Sequence, residues 1–214
     1  MASSLAVTIS GVTAGNALIV GLMQDSTALT TYSASDDVDG ALTKQVENDA
    51  NSGRYVAIFT QEDCTGGDTQ VTVTLGASKR FAIEVMEVSG VPASLVVGTD
   101  LQDMPSGTTK YAAAATGFSP PAGSLSYAIY TFNATPSTQS VGSGYTAGYN
   151  SVANPLGLSQ YQEFATLQTN HRPEMTVGTS FRVGPACCLY VEAGGGGGPG
   201  PVVLHNRTLL GVGK

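Results

Sequence analysis

Residues 69–90, TQVTVTLGASKRFAIEVMEVSG, constrain the fold of this chain more than any other stretch. Val71, Val73 and Leu75 alternate with Gln70, Thr72 and Thr74, the period of two expected of a strand with one buried face. Phe81, Ile83 and Val85 then alternate with Ala82, Glu84 and Met86, and Ser89-Gly90 closes the run. Between them Gly76-Ala77-Ser78 reads as a short turn, so the pattern predicts an antiparallel hairpin. The stretch presents no recognisable catalytic group.

The same β signal recurs along the chain. Strand patterns fall at residues 5–9, 17–23, 27–33, 42–46, 54–61, 94–99, 111–116, 124–132, 158–168, 174–183 and 186–193. Residues 17–23 are apolar enough for burial on both faces, whereas 27–33 are polar and suit an edge. Residues 35–40 and 48–53 read as turns, and 135–155 as a long loop with glycine and tyrosine interleaved. About a dozen short strands at roughly 8–12-residue spacing, without a helical period, predict an all-β antiparallel sandwich or barrel. At 214 residues with 42% hydrophobic content, the chain can build one large β domain or two small ones.

Charge narrows the function classes. Charged residues make up 12% of the chain, against roughly 25% in an average soluble protein. Such a surface suits a protein packed against neighbours or one that is chemically inert. The net charge is −7 and the nine basic residues are scattered, so no stripe is available to neutralise phosphates; nucleic acid is not an expected partner. The longest apolar runs fall far short of the ~20 residues of a membrane helix, and the N-terminal residues lack the pattern of a secretory signal. Cys64, Cys187 and Cys188 cannot form a disulfide framework, and adjacent strand residues place at most one of the pair on a core face. Reduced, partly buried thiols are the expectation.

Several constellations invite chemistry and fall short of it. Asp36, Asp37 and Asp39 before Gly40 resemble a calcium loop, but Ser35 and Val46 stand where two ligands belong; solvated turn acids are expected. His171 and His205 sit in no metal or triad spacing, and no G-x-S-x-G elbow occurs. Glu84 and Glu87 could tempt a glycosidase reading, yet they lie on opposite faces and suit a surface acid and a cross-strand partner. Neither a metal nor a cofactor is expected, and the chain is read as a non-enzyme. Tyr145 and Tyr149, with Tyr161 nearby in sequence, form a candidate glycan platform or, alternatively, pack the end of a sandwich.

The tail departs from the body. Residues 1–193 read as the β domain, 194–201 as a Gly/Pro-rich linker and 202–214 as a C-terminal arm. The arm carries Val202, Val203, Leu204, Leu209 and Leu210, which are costly to leave in water. From Gly195 onward the extended chain could reach about 65 Å. Two readings stand side by side: a strand added to another chain's sheet edge, or a strand folding back on its own sheet.

Taken together, the first half shows Ala14-Gly15-Asn16 before a buried strand and an Asp-x-x-Gly turn at 37–40. It continues with Gly66-Gly67-Asp68-Thr69-Gln70-Val71-Thr72-Val73-Thr74-Leu75 and the strand end Glu87-Val88-Ser89-Gly90. The second half echoes it with Ala122-Gly123-Ser124-Leu125, Gly144-Tyr145 and Glu163-Phe164. This pattern resembles the jelly-roll-like β-sandwich modules of tailed-phage head decoration, cement or appendage proteins. The resemblance implies an antiparallel two-sheet sandwich with a Gly-rich C-terminal arm, and no catalytic residues. It further implies a structural virion protein, assembled in the host cytoplasm, that stabilises a capsid by binding at subunit junctions. The expected partners are the chain itself, with a trimer favoured, and the major capsid or another virion protein. The alternative expectation is a carbohydrate- or receptor-binding module of a phage tail, fibre or secreted protein.

Overall fold

A computed structural model describes residues 2–25, 31–49, 54–89, 96–103, 108–112, 117–132, 136–151, 157–178, 184–191 and 202–211. Among them every element is a strand. In chain order these are β1 (Ala2–Val12), β2 (Ala17–Asp25), β3 (Tyr32–Asp36), β4 (Gly40–Ala41), β5 (Thr43–Asn48), β6 (Arg54–Gln61), β7 (Gly67–Ser89) and β8 (Val96–Asp103). There follow β9 (Thr109–Tyr111), β10 (Leu125–Thr131), β11 (Gln139–Val141), β12 (Thr146–Ser151), β13 (Gly157–Glu163), β14 (Glu174–Val177), β15 (Pro185–Val191) and β16 (Val202–Gly211). The segment 135–155, read from sequence as loop, thus contains β11 and β12. The expected strand at 111–116 is β9 instead, with 113–116 outside the described residues. Most of the expected strand at 27–33 and the whole linker 194–201 also lie outside them.

The predicted hairpin is corrected. β7 is one continuous strand of 23 residues, extended through Gly76-Ala77-Ser78. Gly76 lacks the positive φ that a tight hairpin turn uses, and its N–H donates to the Thr31 carbonyl at 2.8 Å. Neighbours run past the supposed turn on both sides. Along one edge β2 pairs Ala17 with Val88 through Asp25 with Arg80, and β3 continues from Tyr32 opposite Leu75 to Asp36 opposite Val71. Along the other edge β16 runs from Val202 opposite Ser89 to Gly211 opposite Phe81, and β1 resumes with Ala2 opposite Lys79. The sequence carried this signal in its parity. Val71, Val73, Leu75, Phe81, Ile83 and Val85 are all odd-numbered, and all face one core.

The described strands form three antiparallel sheets where two were expected. Eight strands gather around β7 in the order β4-β3-β7-β2-β6-β5, with β1 and β16 also on β7; the others are β12-β13-β10-β15-β8 and β11-β14-β9. The largest sheet curls on itself and encloses a core that includes Ile9, Leu18, Leu22, Phe59, Val73 and Ile83. Its outer face meets the five-stranded sheet across Ile19, Val56, Met86, Tyr127, Ile129 and Leu189. The far face of the five-stranded sheet packs on the small one through Tyr130, Phe132, Leu158, Met175 and Tyr190.

Strands between two cores are therefore buried on both faces, which explains the near-continuous apolar runs of β2, β10 and β15. It also corrects the cysteine expectation. Cys187 and Cys188 point to opposite faces, but each face is a core, so both thiols are buried. Burial pushes the Cys187 thiol well up, and Cys64 is raised to about 12, chiefly by desolvation. Thiols held so far from ionisation are poor nucleophiles at neutral pH.

Candidate functional site

The acidic turn is spent on structure. Asp36 Oδ1 accepts the Val38 N–H at 2.8 Å and the Asp39 N–H, an Asx-type turn. Asp37 Oδ1 accepts the Gln70 N–H at 2.7 Å and the Thr69 hydroxyl at 3.2 Å. The Gln70 N–H is the main reason that the Asp37 carboxyl titrates below its ordinary range. Asp39 takes the Thr65 N–H at 3.0 Å and the Thr65 hydroxyl. These acids clamp the β3–β4 turn onto residues 65–70; the expectation of merely solvated side chains missed that role. Among the described residues no group of three or more His, Cys, Asp or Glu is placed to hold a metal.

Glu84 and Glu87 are not surface acids: both are fully buried, on opposite faces of β7. Glu87 Oε1 accepts the Thr13 N–H at 2.8 Å and the Asn16 amide at 2.6 Å, tying the β1–β2 turn to the strand end. In the same corner Cys64 N–H donates to the Asn16 carbonyl at 2.8 Å, and Gly15 N–H to the Cys64 carbonyl at 2.9 Å. Gly66 passes so close, with φ +92°, that a Cβ there would lie 2.7 Å from the Ala14 nitrogen. The first-half motifs of the sequence resemblance, Ala14-Gly15-Asn16, the 37–40 turn, Gly66-Gly67 and Glu87, thus meet in one place, as a corner of the fold.

Glu84 faces the five-stranded sheet. Its Oε2 accepts the Tyr127 hydroxyl at 2.8 Å, and burial together with this carboxylate drives the Tyr127 phenol well above its ordinary range. Two glycines make the room. A Cβ on Gly21 would lie 2.1 Å from the Tyr127 hydroxyl, and one on Gly148 would lie 1.8 Å from Glu84 Oε1. The pair is a polar pin between sheets, sealed from substrate. A glycosidase needs its two carboxylates to flank a bond that a sugar can reach; these two are separated by the strand itself.

Tyr145 and Tyr149 do not form a platform. Tyr145 is 8% exposed and Tyr149 5%, so neither offers a ring face to a sugar. Tyr145 lies 2.9 Å from the Ser126 hydroxyl and 3.5 Å from His171 Nε2. His171 Nδ1 lies 3.0 Å from the Tyr190 hydroxyl, and Phe164 meets the imidazole edge-on at 4.7 Å. Desolvation lowers the His171 pKa, which favours the neutral ring. Beside this cluster a small cleft of about 210 Å³ is lined by Phe118, Ser119, Pro120, Pro121 and Tyr190. Sequence reading missed Phe118 and Tyr190, which come together only through the Phe118–His171 bridge.

The remaining candidate is the arm. Val202, Val203, Leu209 and Leu210 stand opposite Ser89, Val88, Ile83 and Ala82, with Leu204 at a register shift between Val203 and His205. Of the two readings of the tail, this pairing is the one in which the strand folds back on its own sheet. The edge it covers belongs to a strand buried on both faces from Phe81 to Val88. Each buried backbone group left without a partner there would cost about 1–3 kcal/mol. The arm strand is therefore a structural requirement of β7, delivered by a segment that the sequence sets apart with Gly194–Gly198, Pro199 and Pro201.

No protein-family model and no curated protein sequence matches this chain. Among solved structures, a wild-type BspA C-terminal domain aligns over 96% of this chain and 91% of its own length at 10% identity, with a TM-score of 0.24. The C-terminal domain of the Streptococcus agalactiae AgI/II polypeptide BspA gives 90% and 84% coverage, 10% identity and a TM-score of 0.21. That of the Streptococcus pyogenes antigen I/II-family protein AspA gives 91% and 84% coverage, 9% identity and a TM-score of 0.18. Scores this low carry no conclusion about fold or function, so the reading of this chain rests on its own residues.

Proposed function

We propose that this chain is a non-enzymatic structural protein of a virion, most specifically a capsid decoration or cement protein acting at subunit junctions. On this reading the eight- and five-stranded sheets form a jelly-roll-like sandwich, with residues 194–214 as its Gly-rich arm. The observation that carries the proposal is the closure of β7 by a tethered C-terminal strand, a device suited to joining copies. Two further features support it. Asp36, Asp37, Asp39, Glu84 and Glu87 are engaged in turns and inter-sheet contacts, and the sequence has little charge to repel a close neighbour. Its partners would be other copies of itself, as a trimer, and a shell protein.

Quantitative mass spectrometry of gradient-purified particles tests this directly. A fixed high ratio to the major shell protein is expected; recovery only with soluble protein would reject a virion role. The second reading is a carbohydrate- or receptor-binding module, favoured by the Phe118–Tyr190 cleft. A glycan array would show saccharide binding that Phe118→Ala abolishes, and silence on the array would count against it.

A further inference from the structure

β7 changes character along its length. From Gly67 to Leu75 it alternates exposed and buried residues, and the chain's own N-terminal strand β1 covers that part of its edge. From Phe81 to Val88 every residue is buried, one edge is held by β2 and the other is held by β16. β16 in turn pairs with β7 and with no other described strand. A central strand thus depends for half of one edge on a segment attached through ten residues, 192–201, of which six are glycine and two proline. Such a tether has few side chains that could anchor it.

From this we infer that β16 is an exchangeable strand: in assemblies, Val202–Gly211 of one copy occupies the Phe81–Ser89 edge of another, in the register it adopts within its own chain. The occupant is a second copy because the edge is long, specifically registered and too deeply embedded to stay open. The segment already matched to it, including the shift at Leu204, is this chain's own. A tether of only ten residues keeps the strand close to its own edge, at an effective concentration on the order of millimolar. A dilute free chain therefore closes on itself, whereas copies held side by side at comparable local concentration trade strands without a new interface having to be built. Exchange deepens the arm role in the proposed function, but it is a property of the isolated chain. Particle recovery tests location, and the experiment below tests exchange, so either can fail alone.

Ser89 and Val202 stand opposite one another, at a separation that antiparallel partners and disulfides share. The native cysteines are buried and do not compete. The doubly substituted chain S89C/V202C, oxidised when dilute, should close within one chain; failure to do so overturns the pairing itself. The single variants S89C and V202C are then mixed, incubated at protein concentrations on the order of millimolar, and oxidised. The inference expects a disulfide-linked heterodimer that falls steeply on dilution. It also expects none when Thr74→Cys, on the part of β7 covered by β1, replaces S89C. Intramolecular closure of the double variant with no crosslink between the mixed singles would overturn exchange, and so would equal crosslinking to Thr74→Cys.

Discussion

The two halves of β7 are one strand with two different solutions to burial. The first half, TQVTVTL, buries one face and leaves Gln70 and Thr74 in solvent, so its sequence alternates cleanly. The second, FAIEVMEV, sits between two cores and must hide every side chain, including two glutamates. The first half takes its edge partners from the adjacent N-terminal third of the chain, β1 and β3. The second takes β2 on one side and the distant C-terminal strand β16 on the other. The half that can least tolerate an open edge is thus closed by the strand with the longest return through sequence.

Breaking that closure should have the largest effect. Truncation after Ala193 removes the partner of the second half and should lower unfolding free energy by about 3 kcal/mol or more, read by urea denaturation. Next come the glycines that make room for the inter-sheet pin. Gly21→Ala or Gly148→Ala drives a Cβ into the Tyr127 hydroxyl or the Glu84 carboxylate, and each should cost about 1–3 kcal/mol. Thr74→Ala, on the open face of the first half, should stay within about 0.5 kcal/mol. If Thr74→Ala matches the glycine variants, the contrast between halves is wrong.

Tyr127→Phe is subtler. It keeps the ring but takes a donor from the buried Glu84 carboxylate, and should cost about 1–3 kcal/mol. Combined with Glu84→Gln, the double variant should be less destabilised than the sum of the singles, a coupling a thermodynamic cycle measures. The smallest effect lies on the first half and in acid. Asp37 titrates below its ordinary range because the Gln70 N–H holds the carboxylate, so the folded state favours the charged form. Its contribution is present above the unfolded carboxylate pKa of about 4 and is lost as pH falls through the lower folded value. Asp37→Asn should flatten the acid limb of the stability curve there and leave stability at pH 5 to 8 little changed in slope.

Much of this was legible in the residues, and the misses share a cause. Alternation located most strands because a one-faced strand writes its burial into every second position. Where two cores meet, alternation vanishes, and neither the three-layer stacking nor the burial of Cys187, Cys188, Glu84 and Glu87 follows from a local window. Gly76-Ala77-Ser78 looked like a turn because three small residues interrupt the pattern. The better guide was that the apolar positions on both sides of it, Val71 to Leu75 and Phe81 to Val85, keep the same odd-number parity. The turn motifs were visible, but their meeting depends on contacts spanning 26 to 74 positions, from Thr65 with Asp39 to Thr13 with Glu87. For Tyr145 and Tyr149 the residues left a platform and a packed sandwich end both open; the packed reading holds, and the groups that cover them arrive from elsewhere in the chain.

The central claim is that β16 closes the second half of β7, and amide hydrogen exchange on the intact and truncated chains tests it most directly. In an antiparallel strand alternate amides point to opposite edges. Removing residues 194–214 should therefore speed exchange at every second amide between Phe81 and Ser89. The increase there should exceed that of the amides from Thr69 to Leu75 by at least about tenfold. Unchanged rates at Phe81–Ser89, or an increase no larger than in the first half, would contradict the account.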